Sequence, residues 1–184
     1  MKILVIGAEG QLGKMIIRHT PIGFNVIPTN REIFDLNNRH ECEYFIKKIR
    51  PSWVINCGAY TAVDKAENEK EIAYSINSVA PLTISKTLLQ TGGNLLHIST
   101  DFVFNGNQKT PYLPYSKTCP LNIYGKSKVK GEEAIQETFE DTQRAIILRT
   151  SWLSGPIGNN FVLKMLTMHK EREEIKVVSD QIGS

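Results

Sequence analysis

Short runs of consecutive apolar residues alternate along this chain with longer stretches whose apolar positions recur at the period of an α-helix. The runs at 2–7 (KILVIG), 24–28 (FNVIP), 52–58 (SWVINCG), 94–99 (NLLHIS) and 145–149 (AIILR) are rich in β-branched residues and end in Gly, Pro, Ser or Arg. Each predicts a buried strand. The stretches at 11–19, 39–50, 69–90, 123–139 and 161–171 predict helices. Asn38 stands where a helix N-cap belongs, and Pro81, which lacks an N–H, predicts a kink or break within 69–90. A loop dotted with Pro and Gly runs on to Pro120, and 175–178 (IKVV) predicts a last short strand. Strands apolar throughout, separated by helices, indicate a parallel sheet covered on both faces. The fold class is therefore α/β, a doubly wound parallel sheet.

With 184 residues, 41% of them hydrophobic, the chain holds one domain with a real core, or one domain and part of a second. The net charge of +3 is small, and the basic clusters at 47–50 and 126–130 are interleaved with helical sequence. They read as solvated helix faces, so no nucleic-acid partner is expected. Cys42, Cys57 and Cys119 form no CxxC pair and leave an odd number, which argues against a disulfide framework or a zinc site and for a reducing, cytoplasmic setting. Cys57 closes an apolar run and reads as a small buried hydrophobe. The opening MKILVIGAEG breaks at Gly7, so it reads as a first strand and not a targeting segment; no stretch is long enough to span a membrane.

The first candidate chemistry follows the first strand at once. IGAEGQLG places Gly7, Gly10 and Gly13 between a strand and a helix. Such a turn lets backbone approach a pyrophosphate, and the helix N-terminus meets it with free N–H groups and partial positive charge. The spacing is GxxGxxG in place of the usual GxGxxG. The dinucleotide fingerprint expects an acid at the end of the second strand to hold a ribose hydroxyl. Here that strand ends in IPTNRE, with Asn30 and Arg31 at the position. An arginine there suits a 2′-phosphate, which favours NADPH over NADH; a merely solvated Arg31 fits equally well. Asp35, slightly further on, can face the adenine side.

A second candidate is NIYGKSK, where Tyr124 and Lys128 share one helix face at i and i+4. A free phenol is a poor acid–base catalyst at neutral pH, and a nearby cation lowers its pKa. The pair is then suited to protonate a carbonyl oxygen as hydride reaches the carbon. Ser99, Thr100 and Asp101 end a strand, where doubly wound folds bind ligands. A hydroxyl there can bond the same oxygen, and spacing leaves Ser99 and Thr100 both open.

Taken together, GAEGQLG, NCGAYTAVDKAE, ISTDFVF, PLNIYGKSK and RTSWLSGPIGNNF resemble the extended short-chain dehydrogenase/reductases, and within them the dTDP-4-dehydrorhamnose reductase family. The resemblance covers essentially the whole chain. It implies reduction of the 4-keto group of dTDP-4-dehydro-L-rhamnose by NADPH, with NADH as the other candidate, for cell-surface polysaccharide synthesis. Carried over by motif, Tyr124 is the proton donor, Lys128 lowers its pKa and holds the nicotinamide ribose, and Thr100 is the hydroxyl of the active site. Asp101 and Trp152 contact the sugar nucleotide. Gly10, Gln11 and Leu12 hold the pyrophosphate, Asp35 and Leu36 flank the adenine, and Ala59, Tyr60 and Thr61 line the dinucleotide.

The chain departs from the family pattern in three places. TNR replaces an acid after the second strand, and Ser154 in LSG replaces the tyrosine of VYG. Family members also continue well past VVSDQIGS, into residues that build much of the substrate pocket and a dimer contact. The expected organisation is therefore an NAD(P)-binding domain at 1–150 and the start of a sugar-nucleotide region at 151–184, with no metal assigned. Two rivals stand beside the reductase: a nucleotide-sugar epimerase or dehydratase of the same superfamily, and a non-catalytic NADP-binding regulatory subunit.

Overall fold

The structure is a computed structural model describing residues 1–180. Five strands, β1 (Lys2–Ile6), β2 (Asn25–Thr29), β3 (Trp53–Asn56), β4 (Asn94–Thr100) and β5 (Ala145–Thr150), form one parallel sheet in the order β2-β1-β3-β4-β5. The chain starts at the middle, steps out to β2, then returns past β1 to β3. That reversal creates a crevice at the carboxyl ends of β1 and β3, the place where such sheets receive ligands.

Alternation along the strands sorts side chains by face. Leu4 and Ile6, Val54, and Leu95 face α2 (Arg39–Ile49), α5 (Ala80–Thr91) and α6 (Ile123–Thr138), and bury with Cys42, Ile46, Ile84, Leu88 and Ile135 in the main core. His97, Ser99 and Arg149 lie on this same face, so the strand pattern turns polar under α6. On the opposite face, Ile146 and Leu148 remain half exposed, so cover over β5 is incomplete among the described residues.

The remaining helices are α1 (Gln11–Arg18), α3 (Val63–Ala66), α4 (Lys70–Tyr74) and α7 (Phe161–Glu171). The one-turn α3 is not evident in the hydrophobic pattern. Asn38 caps α2 as expected, its Oδ1 accepting from the Glu41 N–H. Pro81 does not break its helix. A π-helical turn at Ser75–Val79 joins α4 to α5 without interruption. Pro81 has no N–H to give the Asn77 carbonyl, and widening the turn absorbs that deficit. The freed carbonyl lies against Gly131, where a Cβ would come within 2.2 Å of the oxygen. The expected strand at 175–178 does not form: the segment carries no regular structure, and Val177 and Val178 stay exposed. β-branched composition makes a strand only where a pleated surface is there to be packed.

Candidate active site

Gly7 leaves β1 at a φ of +75°, a backbone state costly for residues with a Cβ, and a Cβ there would lie 2.8 Å from the Gly58 nitrogen. The turns after β1 and β3 therefore touch at the crevice. A Cβ on Gly13 would lie 2.3 Å from the Gly7 oxygen, so α1 packs directly on the turn. Gly10 is the N-cap and adds no side-chain cap. The first-turn N–H groups of α1 have no carbonyl within the helix to bond and face an anion site. This cradle fits a dinucleotide pyrophosphate.

The cradle opens into a cleft of about 600 Å³. Gly7, Gly10, Gln11, Leu12, Gly13, Ala59, Thr61, Thr100, Asp101, Tyr124, Lys128 and Trp152 line it, together with Cys57 and Ser99. Tyr60 does not: its hydroxyl donates to Glu69 Oε2 at 2.7 Å, while Asn77 bonds its N–H and C=O at 2.9 Å each. Asn30, Arg31, Asp35 and Leu36 gather past the end of β2, outside the lining. There Asn30 donates to Glu9 at 3.2 Å, and Arg31 projects into solvent near Asp35. Cys57 is half-buried at the cleft wall instead of wholly inside, and burial pushes its thiol up to about 12, so it is protonated and unreactive.

Asn122 caps α6, accepting from the Gly125 N–H at 2.7 Å, and so sets the helix that carries the tyrosine and the lysine. Gly125 lets that helix end approach: a Cβ would lie 2.3 Å from the Phe102 carbonyl oxygen. Phe102 packs edge-on against Tyr124 at 5.6 Å. Thr100 accepts from the Phe102 N–H and donates to Asp101 Oδ1 at 3.0 Å. Burial pushes the Tyr124 phenol up; a hydrogen bond with Thr100 pulls it back and the Asp101 charge adds to the rise.

The shift of the Tyr124 phenol is set by burial, Thr100 and Asp101, and Lys128 is not among its causes. Its Nζ turns to the sheet, donating to the Ile98 carbonyl at 2.7 Å and lying 3.2 Å from His97 Nε2. Burial pulls the Lys128 pKa down to about 8, and Glu132 opposes the fall. Glu132, also buried, accepts from Ser99 at 2.5 Å and takes a bidentate grip from Arg149, its shortest bond 2.6 Å. Ser99 is thus committed inside, and Thr100 is the hydroxyl beside the tyrosine.

Sequence reasoning missed His97, Asn77, Glu132 and Arg149. Glu132 had a signal, lying one further helical turn beyond Tyr124 and Lys128. His97 had another, a titratable ring within an otherwise apolar run.

Past β5, Trp152 adopts a φ of +52°, uncommon for a bulky side chain, and meets Phe161 edge-on. Gln11 holds this loop down, donating to the Leu153 carbonyl at 2.9 Å and accepting from Asn160 at 2.8 Å.

A doubly wound sheet, a glycine cradle at its switch point and a tyrosine–lysine helix beside a threonine-ended strand define a Rossmann-like domain of the extended short-chain dehydrogenase/reductase class. The chain belongs to the RmlD substrate binding domain family, whose sequence profile matches residues 1–184. It is 40% identical over 184 residues to the dTDP-4-dehydrorhamnose reductase of Burkholderia thailandensis, covering 100% of this chain and 61% of that one. It thus spans about three fifths of the length of that curated relative. Among solved structures, the dTDP-4-dehydrorhamnose reductase of Clostridium acetobutylicum superposes with a TM-score of 0.92 at 39% identity, over 98% of this chain and 64% of that one. The same enzyme of Bacillus anthracis, solved in complex with NADP, also has a TM-score of 0.92 at 39% identity, over 98% and 63% of the two chains.

Proposed function

We propose that the protein reduces the 4-keto group of dTDP-4-dehydro-L-rhamnose to give dTDP-L-rhamnose, with NADPH as reductant and NADH as a second donor. The observation that carries this reading is the convergence of Tyr124, Lys128 and Thr100 on one cleft with the glycine cradle. The relative solved with NADP supports the choice of cofactor. The bound dinucleotide supplies the hydride.

In this reading α1 and its glycines hold the pyrophosphate. Ala59 and Thr61 line the dinucleotide, with Tyr60 between them held by Asn77; Asn30 and Arg31 meet the 2′-phosphate, and Asp35 and Leu36 flank the adenine. Tyr124 gives its proton to the C4 oxygen, and Thr100 hydrogen-bonds the same oxygen as its charge develops. Lys128, once charged, favours the phenolate that results. Asp101 and Trp152 contact the sugar nucleotide. Residues 1–150 form the cofactor domain and 151–184 begin the substrate region, four of whose residues, 181–184, lie outside the described structure. A cytoplasmic enzyme that pairs into a homodimer completes the reading.

The test is to follow NADPH by absorbance while adding dTDP-4-dehydro-L-rhamnose and to identify the product by chromatography. Net oxidation with formation of dTDP-L-rhamnose is expected. Interconversion of sugar nucleotides on tightly held NAD, without net oxidation, would make the protein an epimerase or dehydratase. Binding of NADPH without turnover of any 4-keto sugar nucleotide would fit a regulatory subunit, or a reductase whose substrate pocket needs the further residues that its relatives carry, and adding that region back separates the two.

A further inference from the structure

Behind the catalytic pair lies a buried hydrogen-bond chain that the reduction itself does not use. Asn56 Oδ1 accepts from the Gly58 N–H at 3.1 Å, which turns its amide nitrogen toward His97 Nδ1, 3.2 Å away. An amide nitrogen only donates, so Nδ1 is the unprotonated ring nitrogen and a neutral His97 carries its hydrogen on Nε2. Nε2 in turn lies 3.2 Å from Lys128 Nζ. An ammonium has no lone pair to accept that hydrogen, but a free amine does. The amine can still donate to the Ile98 carbonyl at 2.7 Å. The opposite arrangement, an ammonium donating to Nε2, leaves the Nδ1 hydrogen facing the Asn56 amide hydrogens inside the protein, where mismatched polar groups are costly.

We propose that Asn56 and His97 form a tautomer clamp that favours Lys128 as an uncharged amine against β4 at alkaline pH, and that an anionic dinucleotide draws the lysine into the cleft as an ammonium, with uptake of a proton. His97 is a positioning residue that acts through Lys128. Among the described residues lining the cleft, Lys128 is the single cation and Asp101 the single carboxylate. With Lys128 uncharged the cleft is net negative, and a diphosphate entering it favours the protonated lysine. The other ionisable groups around the amine are Tyr124 and Glu132 on its own helix, with Arg149 of β5 bound to Glu132. Burial acts in the same direction on both partners, holding His97 well below its ordinary value and Lys128 at about 8.

The second half of the inference rests on the dinucleotide reading; the first does not. ¹⁵N NMR of histidine-labelled protein at about pH 9, above the Lys128 value of about 8, reads the tautomer directly, with an Nε2–H ring at His97 expected. Calorimetric titration of NADPH at about pH 9, in two buffers of different ionisation enthalpy, is expected to show uptake of close to one proton per site, as a lysine near 8 returns to near 10.4. At that pH a carboxylate and a 2′-phosphate are fully ionised and contribute nothing, and the same titration of Tyr124→Phe removes any proton that the phenol releases once Lys128 is charged. In Asn56→Asp, a carboxylate accepts from both Gly58 and Nδ1, reversing the tautomer and making Nε2 the acceptor of a permanent ammonium. That variant should bind NADPH without uptake. An Nδ1–H ring in the native protein, or binding without uptake, would overturn the inference. Absence of NADPH binding in native protein that shows the Nε2–H ring would overturn the dinucleotide reading, and the uptake step with it.

Discussion

Tyr124 packs edge-on against Phe102, and burial holds the proton on its phenol. If its proton goes to the substrate oxygen, Tyr124→Phe removes only that transfer. Turnover should fall by about 10²- to 10⁴-fold while NADPH affinity, set at the glycine cradle, is unchanged. Near-normal turnover in single-cycle kinetics would exclude Tyr124 as donor. His97 makes a separate prediction about stability. The folded protein keeps the ring neutral, whereas the unfolded chain protonates it near the ordinary 6.5. The unfolded state then binds the extra proton below that pH, so the contribution of His97 is complete above about 6.5 and is lost progressively as pH falls from there toward the lower folded value. Urea midpoints should drop between about pH 7.5 and about pH 5.5, and His97→Gln should flatten the drop. An identical drop in the variant would assign it to other groups. Tyr124, Lys128 and Thr100 were legible in the sequence because helix spacing and a strand end place them. The turn of Lys128 toward His97 was not, since that contact joins residues on two elements and depends on which face of β4 meets α6.

At the scale of elements, apolar runs and capping residues carried the reading well: β1 to β5, α1, α2, α6 and α7 fall within a few residues of their expected bounds. The failures have physical causes. A proline mid-helix removes one donor, but a π-helical turn can dispose of the orphaned carbonyl without a break, and hydrophobic period alone does not distinguish the two. The segment at 175–178 has strand composition without a partner. Where α6 crosses that π turn, Gly131 admits the Asn77 carbonyl. Asn77 is doubly engaged, its side chain holding Tyr60 and bonding Ser127 at 3.0 Å. Gly131→Ala would push a methyl group into an oxygen that the turn cannot withdraw. Overpacking of this kind costs about 1–3 kcal/mol, and with a Cβ only 2.2 Å from a backbone oxygen the cost falls at the upper end, above the roughly 1 kcal/mol that alanine's better helix propensity returns. Urea unfolding of Gly131→Ala beside Glu133→Ala, on the exposed side of α6, measures it. The first should lose stability and the second change by less than about 0.5 kcal/mol. Equal midpoints would show that the helices part freely.

Across the whole molecule, one side chain links the cradle to the segment past β5. Gln11 begins α1, where the pyrophosphate would sit, yet its amide reaches residues far along the chain, at Leu153 and Asn160. Gly158 leaves room for it at a φ of +86°, with a Cβ position only 3.0 Å from Gln11 Cβ. The strained Trp152 stands next to the held Leu153. A ligand that orders the first turn of α1 therefore also orders the loop 151–160, on which the candidate substrate contact Trp152 lies. NADPH should slow amide exchange in two places, the cradle at 7–13 and the loop at 153–160. Gln11→Ala keeps the backbone N–H groups that face the phosphate, so the first protection should persist. The second should vanish, because nothing then conveys the order of α1 to the loop. Loss of protection at both places would mean that the Gln11 side chain holds the cofactor itself, and retention at both would mean that the loop is fixed by Asn160 and its own turns.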